Sequence, residues 1–142
     1  MYILLKRPTF LSDVLSIMRD YDCVKISAIY APALTREQAE VIYNNFTDSP
    51  HYERAVQSLL PNRAEGIQHI FVIEFDLLEE TSIEYFKRTV QGPYGTTDES
   101  TVRGHIACTL GNADEGYVHV PDSHEKAAED TLVFGEPMKT YA

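Results

Sequence analysis

The chain has 142 residues, 44% of them hydrophobic, and a formal net charge of −10. That length suits one domain, 1–142, that buries roughly 70% of the surface its unfolded form exposes. The acidic balance argues against nucleic-acid binding, which needs a basic footprint, and no apolar run approaches the length of a membrane span.

The opening stretch Met1-Tyr2-Ile3-Leu4-Leu5-Lys6 is short and soon broken by charge. It does not read as the apolar region of a signal peptide, so the expectation is a cytoplasmic protein. Cys23 and Cys108 form no C-x-x-C pair and are expected to be reduced and buried.

In chain order, residues 1–6 are apolar and β-favouring, a first strand. Residues 10–21 place Phe10, Val14, Ile17, Met18 and Tyr21 on one face of a helix. Residues 23–30 alternate as a strand does. Thr35-x-x-Gln38 is a capping box opening a helix to about Phe46. Ser49-Pro50 reads as an N-cap with proline at the first helical position, opening a helix to about Leu60. Residues 67–75 form the most strand-like run. Thr81-x-x-Glu84 is a second capping box, for a helix to about Gln91, and Gly92-Pro93-Tyr94-Gly95 is a turn. A short helix from near Glu99 carries Arg103. Residues 117–120 form a last strand, and Asp122-x-x-Glu125 caps a last helix to about Phe134.

The order β-α-β-α-α-β-α-(short α)-β-α never lets two strands follow directly. It fits two β-α-β halves in an α+β, ferredoxin-like sandwich, a four-stranded antiparallel sheet with helices on one face. A doubly wound α/β sheet is the competing arrangement. No glycine-rich turn follows the first strand, which counts against a dinucleotide or P-loop fold.

One stretch carries chemistry. Tyr117-Val118-His119-Val120-Pro121-Asp122-Ser123 delivers an imidazole to the end of a short strand, just before a turn and a capped helix. Asp130, eleven residues on, could turn back to orient it. An imidazole held this way can attack a phosphoryl group. It is mostly neutral at pH 7, and its lone pair needs no separate base.

The chain resembles nucleoside diphosphate kinases along nearly its whole length. Four landmarks carry the resemblance in that family's order: Lys6 at the end of the first strand, Arg88 in a helix closed by Gly92-Pro93, the segment Thr101-Val102-Arg103-Gly104, and the histidine segment with Ala127 and Asp130 after it. The resemblance implies ping-pong transfer of a γ-phosphate from ATP to nucleoside diphosphates. His119 would be the nucleophile and Asp130 would orient its ring. Lys6, Arg88 and Arg103 would contact phosphates, and Tyr43 would lie beside the nucleophile. Asp122 would sit near Mg²⁺, which arrives with the nucleotide. His51 stands where the family has an aromatic residue against the base, Tyr94 where it has a threonine on phosphate, and Asn112 is the candidate for the family's asparagine in the loop before the histidine strand. The resemblance also implies a homo-oligomer. It implies no membrane or nucleic-acid partner.

Such a transfer passes through a loose, charge-spread transition state, so catalysis is chiefly positioning and electrostatics. Three cations converging on one spot would form a local positive well in an acidic protein. The main departures from the family are Val120-Pro121, in place of Gly-Ser after the histidine, and bulky Tyr94. Proline removes one backbone donor beside the nucleophile. They motivate an alternative, a catalytically degenerate nucleotide-binding or interaction module of the same fold.

Overall fold

All four residues of β1 (Tyr2–Leu5) are buried, because the strand lies inside the sheet with both faces covered. The structure, a computed structural model, describes residues 1–112 and 116–141. The remaining strands are β2 (Val24–Tyr30), β3 (Phe71–Leu77), β4 (Val118–His119) and β5 (Lys139–Thr140). They form one antiparallel sheet in the order β4-β1-β3-β2-β5. The sheet thus has five strands where the sequence reading gives four. β5 is two exposed residues pairing with Ala28 and Ile29 at the edge of β2, too short and too polar to show an alternating pattern.

The helices are α1 (Leu11–Arg19), α2 (Arg36–Ile42), α3 (Tyr52–Ser58), α4 (Ile83–Phe86), α5 (Val102–Leu110) and α6 (His124–Thr131). They cover both faces of the sheet, not one. Alternating strand side chains divide the core accordingly. Ile3, Leu5, Ile73, Phe75, Val118 and Val120 pack with Val14 and Met18 of α1, Phe86 of α4 and Ile106 of α5. Tyr2, Leu4, Ala28, Tyr30 and Val72 pack with Ala39 and Ile42 of α2, Val56 of α3 and Ala127 of α6. The architecture remains α+β and broadly ferredoxin-like.

Several boundaries move for local reasons. The Thr35–Gln38 capping box is present in both directions. Ser49-Pro50 makes a turn instead of an N-cap: the Ser49 hydroxyl accepts from the His51 N–H at 3.2 Å, and α3 starts only at Tyr52. Thr81 donates its hydroxyl to the Leu78 carbonyl, which leaves Ser82 to cap α4. Ser123, not Asp122, caps α6 by accepting from the Lys126 N–H at 3.0 Å. Residues 67–70 stay outside β3, where Ile67 is held in a bridge to Asn62. Neither cysteine is buried: Cys23 is half-buried and Cys108 lies on the exposed side of α5.

Two glycines fix the ground around the site. Gly92 has φ +89°, and a Cβ there would lie 2.6 Å from Thr101 Oγ1. At Gly104 a Cβ would lie 1.9 Å from the Asp98 carbonyl oxygen. The glycine of Thr101-Val102-Arg103-Gly104 is therefore what lets α5 press against the loop before it.

Candidate functional site

His119 owes its position to strand alternation. Val118 and Val120 enter the core on one face of the sheet, so His119, between them, turns to the other. It pairs with Leu4 across the β1–β4 ladder. There Tyr43, at the end of α2, meets the imidazole edge-on with ring centroids 4.9 Å apart. The Tyr2 ring lies tilted at 6.2 Å. His119 makes no hydrogen bond with a described residue, and among those residues its ring is held by packing. Burial first, then the charges of Lys6, Lys87, Lys126 and Arg103, bring its pKa down to about 3. The ring is neutral at pH 7, so one of its nitrogens carries a proton and the other offers a free lone pair.

The cations around it come from four elements. Lys6 follows β1 directly, and its Nζ stands 5.5 Å from the centre of the buried Tyr43 ring. Burial holds the Tyr43 hydroxyl far above its ordinary titration range. Arg103, in the first turn of α5, is half-buried. It donates to the Gly92 carbonyl at 3.2 Å and the Val118 carbonyl at 3.4 Å, and burial lowers its pKa. Its Nε is buried with no partner among the described residues. Arg88 sits in a π-turn, Lys87–Gln91, that continues α4. Such turns concentrate at functional sites. Lys87 from the same turn pairs with Asp122.

Two adjoining clefts share His119, Arg103 and Phe46. One, of about 450 Å³, brings in Arg88, Lys87, Gln91 and Asp122. The other, of about 430 Å³, brings in Lys6, Tyr43, His51 and Tyr94. His119 thus lies where the two meet. Tyr94 is exposed, with its ring 5.8 Å from the Arg103 guanidinium carbon. His51 is exposed on the rim. Asn112 follows the left-handed Gly111 that ends α5, and its carbonyl accepts from the Tyr117 hydroxyl. It is not among the residues lining either cleft.

Asp130 differs from the sequence expectation. It is fully buried, but it does not hydrogen-bond the imidazole. One carboxylate oxygen accepts the Tyr2 hydroxyl at 2.7 Å and the other accepts the Lys126 ammonium. The short aspartate stem is spent on these two partners. Burial pushes its carboxyl above the ordinary range, against the opposing pull of Lys126 and Tyr2.

Sequence reasoning missed Tyr2, Lys87 and Lys126. Tyr2 is hidden in an apolar strand. Lys126 did leave a signal: a cation in the first turn of a helix, the end where the helix dipole disfavours it.

The donors suit a metal ion brought by a ligand better than one held by the protein. Among the described residues no group of three His, Cys, Asp or Glu could hold one, and Asp122, the candidate carboxylate, is already paired with Lys87. Also among the described residues, no helix is long and apolar enough to cross a membrane.

No family model matches the sequence, and no curated protein matches it. Solved structures do match. A nucleoside-diphosphate kinase from Borrelia burgdorferi, a transition-state mimic with bound vanadate and ADP, aligns with a TM-score of 0.61 at 10% identity, covering 99% of this chain and 89% of that one. The Aquifex aeolicus nucleoside diphosphate kinase aligns at 0.63 and 16% identity, covering 99% and 96%. A halophilic nucleoside diphosphate kinase from Halobacterium salinarum, in complex with CDP, aligns at 0.59 and 17% identity, covering 99% and 91%. At these identities the likeness speaks for the fold: the chain has a nucleoside diphosphate kinase-like fold over essentially its full length.

Proposed function

We propose that the protein is a nucleoside diphosphate kinase that transfers the γ-phosphate of a nucleoside triphosphate to a nucleoside diphosphate through His119. The observation that carries this reading is the neutral imidazole at the junction of two clefts, surrounded by Lys6, Lys87, Lys126 and Arg103.

An imidazole nitrogen of His119 attacks the γ-phosphorus. The N–P bond forms as the bond to the bridging β-phosphate oxygen breaks, and the nucleoside diphosphate leaves with that electron pair. A second nucleoside diphosphate then attacks phosphohistidine with a terminal phosphate oxygen and regenerates the free ring. Lys6, Arg88 and Arg103 hold the phosphates. The buried, unpaired Arg103 Nε is the kind of donor a bound anion can satisfy. Mg²⁺ enters as part of the substrate, near Asp122. Tyr43 holds the ring's edge, Asp130 acts through Tyr2 and Lys126, and His51 and Tyr94 line the way to the base. Asn112 is the weakest member of the set, since it lines neither cleft. ATP and nucleoside diphosphates are the partners, and the assembly is a cytoplasmic homo-oligomer.

A second reading has its own support. His119 lacks a hydrogen-bond partner among the described residues, and Pro121 removes a backbone donor two residues away. A nucleotide-binding module without turnover would tolerate both. Incubation with γ-labelled ATP and Mg²⁺, beside His119→Ala, separates the two. Acid-labile, base-stable label on the wild type alone, released by a nucleoside diphosphate, is the expected result. Nucleotide binding with no label would leave the second reading standing.

A further inference from the structure

Lys126 is the third residue of α6, and its side chain is only 12% exposed. Burying an ammonium is unfavourable unless it is paired and hydrogen-bonded, and the first turn of a helix is the wrong end for a cation. Local helix energetics therefore do not explain it. Its partners do. Lys126 Nζ reaches the C-terminal turn of α2 and donates to the Val41 carbonyl at 2.7 Å. That turn carries carbonyls with no intrahelical donor. The same oxygen accepts the backbone N–H of Tyr43. Nζ also donates to Asp130, whose other oxygen holds the Tyr2 hydroxyl at 2.7 Å. Glu129, 3.9 Å from the ammonium, accepts from the Asn44 side chain at 2.7 Å, next to Tyr43.

One ammonium is thus tied to both aromatic rings that flank His119: to Tyr43 through Val41, and to Tyr2 through Asp130. His119 itself has no hydrogen bond to a described residue, so its ring can be no better placed than these two walls. We propose that Lys126 is a positioning residue for the imidazole, fixing Tyr43 and Tyr2 through a buried Val41–Lys126–Asp130–Tyr2 chain in place of a direct carboxylate contact. The proposal deepens the phosphotransfer reading and rests on it for its kinetic consequence. Its structural part stands on the contacts alone.

The test is Lys126→Met, which keeps a stem of similar length and removes every donor, with Tyr2→Phe as the milder variant that keeps the ring and cuts only the Asp130 link. Two readouts are needed: the rate of label transfer from Mg-ATP to His119, beside the affinity for Mg-ADP, and the ¹⁵N and ¹³C resonances of the His119 ring. Misplacing a reacting group by about 1 Å can lower a rate roughly a hundredfold. Lys126→Met should therefore lose about ten- to a hundredfold in label transfer while ADP affinity stays within about threefold, and its imidazole signals should broaden or split. A merely structural lysine would leave transfer and binding to fall together, with an unchanged ring spectrum in the folded fraction. Folded Lys126→Met that labels at the wild-type rate with the wild-type imidazole spectrum overturns the proposal. If Lys126→Met does not fold, Tyr2→Phe decides the matter: a smaller rate loss with a changed ring spectrum supports the proposal, and no change in either overturns it. If the wild type takes no label, the phosphotransfer reading fails, while the ring spectra still decide whether Lys126 sets the imidazole.

Discussion

Replacing Gly104 with alanine tests whether the close approach of α5 to the loop before it is what delivers Arg103. The new Cβ would stand 1.9 Å from the Asp98 carbonyl oxygen and 2.4 Å from its carbon. Both are backbone atoms, so no rotamer change relieves the clash. To reach even 3.0 Å, α5 or the loop must shift by about 1.1 Å. The same junction holds the cap of the helix: Thr101 Oγ1 accepts from the Gly104 N–H at 3.0 Å and donates to the Asp98 carbonyl at 2.7 Å. Overpacking of this kind costs about 1–3 kcal/mol, and a weakened N-cap about 1 kcal/mol more. The expected loss is about 3 kcal/mol, which lowers the urea midpoint by roughly 2 M for a protein of this size. A shift of that size also pulls Arg103 from the Gly92 and Val118 carbonyls, which it reaches only at 3.2 and 3.4 Å, so affinity for Mg-ADP should fall with stability. Urea unfolding followed by circular dichroism measures the first effect, and calorimetric titration under native conditions measures the second. An alanine variant with the wild-type midpoint would falsify the packing argument. One that is destabilised but binds Mg-ADP as tightly would break its link to the site.

His119 should make the fold sensitive to acid. Its native pKa is lowered to about 3 from the ordinary 6.5 of a histidine, so between these values the unfolded chain binds a proton that the native chain does not. Stability is then complete above about pH 6.5 and declines as pH falls toward 3. Urea midpoints for wild type and His119→Gln should converge or cross as pH drops through this window, and parallel curves would contradict the assignment. Tyr21 holds its hydroxyl against the carbonyls of Thr89, in the π-turn, and Ser100, just before α5, at 3.1 Å each. Tyr21→Phe should cost about 1 kcal/mol and raise the KM for nucleotide; an unchanged KM would show that the π-turn holds without it. His51 lies on the cleft rim, where a phenyl ring would stack more strongly, so His51→Phe should lower the KM for nucleotide. An equal KM for the two proteins would remove His51 from the base site.

What the sequence determined by itself are the features written in local rules. The alternation Tyr117-Val118-His119-Val120 is enough to place a histidine opposite two core valines on a strand. The reciprocal Thr35–Gln38 box starts α2 where it says. Competition among neighbouring caps was harder to read: Thr81 against Ser82 and Asp122 against Ser123 were settled by what each hydroxyl or carboxylate found nearby, Leu78 and Lys87 respectively. Only the tertiary structure decided that helices cover both faces, because each strand's two apolar sets can be matched to helices only once the helices are placed. It also decided that β5 exists, since two exposed residues become a strand only by meeting the edge of β2. The roles of Asp130 and Lys126 were settled in the same way. Eleven residues of spacing bring Asp130 near His119, but whether a carboxylate nearly two turns along a helix meets the imidazole or a tyrosine from β1 depends on contacts 128 residues apart in sequence. Long-range contacts of that kind leave no periodicity to read, and the setting of the candidate nucleophile is made almost entirely of them.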